Sequence, residues 1–308
     1  MVNVTLLGTA ALMPLPERAL SAAYLTCGGR GLLLDCGEGT QSAARRAGIS
    51  LMKTDIIALS HYHGDHVFGL PGLLQSMNAL DRAEPLYITG PAGIESELAP
   101  ILTLAGEVKY PIRLIEVPDE GLELRSISRS WPNGARLQAF ETKHRVISQG
   151  YVFTLHRAGK FLPERARALS LPVECWGKLQ HGRSVEIDGR LIEPEMVLSE
   201  PRRGIKVLFS GDTAPCESML EAARDAQLLI LDATYGEDEQ AELAEKYGHM
   251  TFSQAAQLAG GSGAEVLWLS HYSPMIKNPG DYIHNARRYF ENSHCGYDGM
   301  SASLKFED

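Results

Sequence analysis

Six residues, His61-Tyr62-His63-Gly64-Asp65-His66, bring together three imidazoles and a carboxylate. Imidazole nitrogens and carboxylate oxygens form the donor set of zinc and neighbouring first-row ions. The apolar run Ile56-Ile57-Ala58-Leu59 comes just before and reads as a buried strand, so the donors stand on a loop at a strand's end. Gly64 is expected to give that loop a tight path, turning His61 and His63 to one point and Asp65 and His66 to another. Further donors follow strand-like stretches downstream. His144 comes after the polar–apolar alternation of 136–142, Asp212 after Val207-Leu208-Phe209, and His271 after the apolar run 266–269.

The elements that must hold these donors recur along the chain. Strand-like runs at 4–7, 31–34, 56–59, 86–88, 207–209, 228–231 and 266–269 are bounded by Gly, Pro or Asp. Helical patterns at 39–47, 67–80, 92–105, 214–226 and 251–260 lie among them, which argues for a layered α/β domain spanning 1–308. Two pairs of segments echo each other. Leu32-Leu33-Leu34-Asp35 resembles Leu229-Ile230-Leu231-Asp232, and Ser60-His61-Tyr62 resembles Ser270-His271-Tyr272. Two half-domains with their polar strand ends together would produce this echo.

With 308 residues, the chain is long enough for a large core. No apolar run approaches the length of a membrane span, and the N-terminal run lacks the basic start of a signal peptide. The five dispersed cysteines, without a Cys-x-x-Cys pair, read as free thiols of a reducing cytoplasm. A net charge of −9 argues against a surface that binds nucleic acid all over.

One stretch breaks the pattern. Residues 158–200 are rich in Arg, Pro, Gly and Glu, with a short helical piece at 164–169 and a hairpin signal at Asp188-Gly189, and read as an insertion protruding from the main domain. Six Lys/Arg against two Glu within 157–183 leave it locally at +4. Such a stretch would grip phosphates by charge, and Phe161 and Trp176 are candidates to stack on bases.

The order HxHxDH, H, D, H resembles the pattern of the metallo-β-lactamase superfamily, matched here by His61, His63, Asp65, His66, His144, Asp212 and His271. That resemblance implies a four-layer αββα sandwich with a dinuclear centre. By it, His61, His63 and His144 would hold one metal, Asp65, His66 and His271 the other, and Asp212 would bridge. Two such ions, zinc by expectation with Mn2+ or Fe2+ as substitutes, would activate a shared water for attack on phosphorus or a carbonyl.

Within the superfamily the chain resembles tRNase Z (ribonuclease Z), the endonuclease that removes tRNA 3′ trailers. Asp35-Cys36-Gly37-Glu38-Gly39-Thr40-Gln41, the continuation Gly69-Leu70-Pro71-Gly72 and the arm-like insertion stand in that family's order. The resemblance implies precursor tRNA as substrate, a homodimer, His249 as proton donor to the leaving oxygen, Asp232 as its orienting carboxylate, and Asp65 as a positioning group for the attacking hydroxide. The chain also departs from the family: Val173-Glu174-Cys175-Trp176 replaces an arm Gly-Pro, Arg18-Ala19 an Arg-Asn, Asp232 a Glu, and Ser273-Pro274-Met275 a Ser-Arg-Tyr. These departures give a competing expectation, a hydrolase of a small cyclic phosphodiester, lactone or thioester on the same scaffold.

Overall fold

The computed structural model describes residues 1–307. Its strands are β1 (Val2–Gly8), β2 (Ala22–Cys27), β3 (Arg30–Leu34), β4 (Thr54–Ala58), β5 (Leu86–Thr89), β6 (Ile112–Ile115), β7 (Leu122–Glu123) and β8 (Ala135–Glu141). They continue as β9 (Gln149–Arg157), β10 (Val185–Ile187), β11 (Arg190–Ile192), β12 (Arg202–Phe209), β13 (Leu228–Asp232), β14 (Val266–Ser270), β15 (Ser293–Cys295) and β16 (Ser301–Leu304). Two seven-stranded sheets result, in the orders β16-β1-β2-β3-β4-β5-β6 and β15-β14-β13-β12-β9-β8-β7.

Central strands of both sheets are apolar on both faces, as strands covered on both sides must be. In β4, Ile56 and Ala58 face the inter-sheet core while Ile57 faces the helices, and in β13 Leu228 and Ile230 face inward while Leu229 and Leu231 face outward. The helices Thr40–Arg46, Leu70–Ala79 and Ile94–Ala105 cover the first sheet, and Glu217–Ala223, Phe252–Ser262 and Ile283–Arg287 cover the second. The architecture is the expected αββα sandwich. A buried carboxylate ties its halves: Asp55 of β4 accepts from Arg30 Nε at 2.7 Å and, across the core, from Trp131 Nε1 at 2.8 Å.

The echo in the sequence is an echo in space. β3 pairs in parallel with β4, and β13 with β14, so Asp35 and Asp232 close equivalent strands beside equivalent Ser-His-Tyr ends. The helix expected at 67–80 is interrupted instead, as Gly64–Val67 and Leu70–Ala79. Pro71 has no N–H to continue a helix and suits a first turn, so the longer helix starts at Leu70.

Between β9 and β12 the chain forms two short helices, Pro163–Ala168 and Val173–Gln180, and the β10–β11 hairpin. The hairpin turns through Asp188 and Gly189, both at positive φ (51° and 74°), as a two-residue turn requires. Ala166, Leu171, Leu179, Val185, Ile192 and Val197 form a separate small core here. Phe161 and Trp176 pack on it with rings 5.3 Å apart, and Trp176 Nε1 donates to Leu171 O. Both rings take part in the segment's own packing and remain half-buried.

Candidate metal centre

The seven donors come from both halves of the sandwich and converge at one edge. Loops after β4, β8, β12 and β14 deliver His61 to His66, His144, Asp212 and His271 respectively. Three donor groups form around Asp212: His61, His63 and His144 with Asp212, Asp65, His66 and His271 with Asp212, and Asp232, His249 and His271 with Asp212, of which the first two match the expected centre. The ligating atoms of each group lie within 4.8 Å of one another.

Spacing tests whether a divalent ion fits. Tetrahedral donors about 2.0–2.1 Å from zinc stand about 3.3 Å from each other. In the first group His61 Nε2 is 2.9 Å from His63 Nδ1, His144 Nε2 is 3.4 Å from the same atom, and His61 Nε2 is 3.8 Å from Asp212 Oδ2. In the second, His66 Nε2 and His271 Nε2 lie 3.2 and 3.1 Å from Asp212 Oδ1, and His271 Nε2 lies 3.5 Å from Asp65 Oδ2. His66 Nε2, His271 Nε2 and Asp212 Oδ1 are buried without any hydrogen-bond partner. Polar atoms buried without a well-aligned hydrogen bond are costly, and a shared cation is what would satisfy all three at once. The two oxygens of Asp212 face different groups, the geometry of a bridge.

A second layer of groups aims the rings. His61 Nδ1 meets Ser60 Oγ at 3.0 Å, His66 Nδ1 donates to Asp35 Oδ2 at 2.6 Å, His144 Nδ1 donates to Gly248 O at 2.8 Å, and His271 Nδ1 meets Thr234 Oγ1 at 3.0 Å. Each contact occupies one nitrogen and leaves Nε2 for the centre. Asp35 also accepts from Ser60 N and Ser60 Oγ, so one carboxylate steers two adjacent donors. Asp35 and His271 both sit at left-handed φ, 57° and 62°, where non-glycine residues are uncommon. On the far side Leu12 N, at φ 64°, donates to Asp65 Oδ2 at 2.9 Å.

Gly64 does not act as expected. It lies inside the Gly64–Val67 helix at ordinary φ, and a Cβ there would come within 2.4 Å of the Phe68 ring. Phe68 is exposed and can shift, so neither the backbone angle nor this contact demands glycine at 64.

Electrostatics divide the groups. Burial holds His61 well below the ordinary imidazole value, and His63 and His144 are lowered mainly by burial too, so all three are neutral donors. Burial opposes charge on His66, yet Asp212 and Asp35 outweigh it and hold its value well above the ordinary one. Asp212 resists burial likewise: His271 and His66 keep it well below the carboxylate range.

His249 stands beside the donors, its ring 5.4 Å from that of His271. His249 Nδ1 donates to Asp232 Oδ2 at 2.7 Å, so the short Asp232 side chain does reach it. Burial works against its charge, but Asp232 raises the pKa to about 9, leaving the imidazole protonated at neutral pH. Asp232 is anchored in turn by Thr234 N and Oγ1, both at 2.9 Å. A cavity of ≈ 540 Å3 opens over the donors, lined among others by Leu12, Asp65, Arg145, Asp212, Tyr247 and His249.

The nine candidate metal-binding and catalytic residues read from the sequence therefore gather at one place. The groups it did not single out are Ser60, Thr234, Gly248 O and Leu12 N. Hydroxyls and backbone atoms carry no signal in a sequence, whereas Asp35 could have been found from its echo of Asp232.

Residues 2–151 match the family model described as Anti-Pycsar protein Apyc1, and residues 196–272 match the Beta-lactamase superfamily domain. Over 310 residues the chain is 41% identical to a protein from Agathobacter rectalis named Ribonuclease Z, with 100% of both chains covered. A protein of the same name from Lachnoclostridium phytofermentans is 40% identical, covering 100% of this chain and 99% of its own. The crystal structure of human tRNase Z, short form, shares the fold at a TM-score of 0.67 and 24% identity, covering 99% of this chain and 100% of that one. With identity at this level along its whole length, the chain belongs to the ribonuclease Z family and carries the metallo-β-lactamase fold.

Proposed function

We propose that this protein is a metal-dependent endoribonuclease that removes 3′ trailers from precursor tRNA. Full-length relatedness to proteins named Ribonuclease Z supports the substrate class. The observation that carries the chemistry is the Asp232–His249 pair beside two converging donor groups, a proton donor set next to a place for two cations. His61, His63 and His144 would hold one ion, Asp65, His66 and His271 the other, with Asp212 between them. The donor set suits zinc, with Mn2+ and Fe2+ as alternatives. When bound, such ions supply a nucleophilic water at neutral pH and stabilise charge on the phosphate.

The chain's own residues do the rest. Asp65, held by Leu12 N, positions the attacking water opposite the bond to be broken. His249 is fixed through Nδ1 by Asp232, which leaves Nε2 to give its proton to the departing 3′ oxygen. The basic segment between β9 and β12 is our candidate for holding the body of the tRNA. A homodimer, in which that segment serves the partner's site, and a cytoplasmic location complete the reading. No helix among the described residues is long and apolar enough to cross a membrane.

The His249→Ala variant tests the proton donor. Its kcat on precursor tRNA is expected to fall by about 10²–10⁴-fold while bound metal is unchanged. Full activity in the variant would remove His249 from the mechanism.

A further inference from the structure

Carboxylates Asp65 and Asp212 line the cavity that a phosphodiester must enter, and a single Lys or Arg lines it with them. That residue is Arg145. It is exposed, and its guanidinium carbon lies 5.5 Å from the centre of the Tyr247 ring. Among the described residues no carboxylate or hydrogen-bond acceptor engages this guanidinium. An unneutralised cation braced on a ring at the mouth of an anion-binding cavity is arranged for an incoming charge.

Local backbone packing explains its place. His144 Nδ1 donates to Gly248 O, and a Cβ on Gly248 would stand 2.7 Å from that nitrogen and 2.8 Å from the His144 Cα. Gly248, at φ 75°, thus lets the His144 backbone come close. The residue after His144 then meets the residue before Gly248. One docking sets a metal donor and a cation side by side, and His63 feels the charge of Arg145 as well as its own burial.

We propose that Arg145, braced on Tyr247, binds the phosphodiester that enters this cavity, presenting its planar fork of N–H donors to the non-bridging oxygens. The substrate class rests on the nuclease reading above. Lys cannot reproduce the fork, so the site distinguishes the two cations. Pro274, next to Ser273 of the cavity wall, offers no second cation.

The test compares wild type, Arg145→Ala, Arg145→Lys and Tyr247→Ala on precursor tRNA and on bis(p-nitrophenyl) phosphate over a range of salt, with bound metal measured throughout. Losing a charge-assisted contact is expected to lower kcat/KM of Arg145→Ala about 10–100-fold on both substrates, chiefly through KM. The salt dependence of RNA cleavage should weaken by about one unit of slope. Arg145→Lys should recover part of the loss, and Tyr247→Ala, which removes the brace, should lower kcat/KM in the same direction as Arg145→Ala. Arg145→Ala kinetics equal to wild type would overturn the proposal. A loss confined to RNA would place the contact outside the cavity, and a loss of metal would mean the effect runs through His144; either also overturns it. If wild type hydrolyses the generic diester and leaves precursor tRNA intact, the nuclease reading fails, and the diester arm alone decides the role of Arg145.

Discussion

Behind the ring of His66 stands Asp35, fully buried and 2.6 Å from Nδ1, and behind His249 stands Asp232 in the matching position of the other half. The same residue type does different work in each half because the partner differs. His66 turns its free nitrogen to Asp212, whereas His249 keeps a proton to give. Asp35→Ala is therefore expected to weaken metal binding about 10–100-fold, as removal of an outer partner of a ligating histidine does, measured by competition with a chelator. Metal affinity equal to wild type would show that Ser60 suffices to aim the donors. The seven donors were legible because His and Asp clustered after apolar runs have few other uses. Their supports were not, since a threonine hydroxyl or a glycine carbonyl becomes specific only when folding places it.

Elements show the same division. The strands read from apolar runs are present because central strands covered on both faces must be apolar throughout. β2 and the buried middle of β9 do not stand out as apolar runs: Ala22-Ala23-Tyr24-Leu25-Thr26-Cys27 mixes small and polar residues, and β9 begins at Gln149 and Gly150 and ends at His156 and Arg157. The segment between β9 and β12 is legible by composition, but the part its aromatics take in a small local core is not. Phe161 and Trp176 close a core too small to do without them. Leu179, fully buried in that core, sits far in sequence from every donor. Leu179→Asp is expected to loosen this segment alone. Limited proteolysis should then cut within 160–198, hydrolysis of bis(p-nitrophenyl) phosphate should persist, and precursor tRNA should bind more weakly. Unchanged tRNA affinity would separate the segment from substrate binding.

At the scale of the molecule, the two sheets must hold their edges in register to within the reach of one carboxylate, Asp212. The inter-sheet core does most of this, and Asp55 fastens it by joining Arg30 to Trp131. Asp55→Ala would leave a buried indole N–H without its acceptor and Arg30 with only the exposed Glu84, 2.8 Å away, as a partner. It is expected to cost about 1–3 kcal/mol in urea denaturation, the penalty for leaving a buried donor unsatisfied. A smaller cost would mean water reaches the pair. The whole account turns on what the assembled site cuts. The most direct test is end-mapped cleavage of a 3′-extended precursor tRNA by the zinc-loaded protein, with and without a chelator. The account predicts a single cut at the base of the trailer, leaving a 3′-hydroxyl on the tRNA and disappearing on chelation. Intact precursor beside brisk turnover of a small phosphodiester would contradict it.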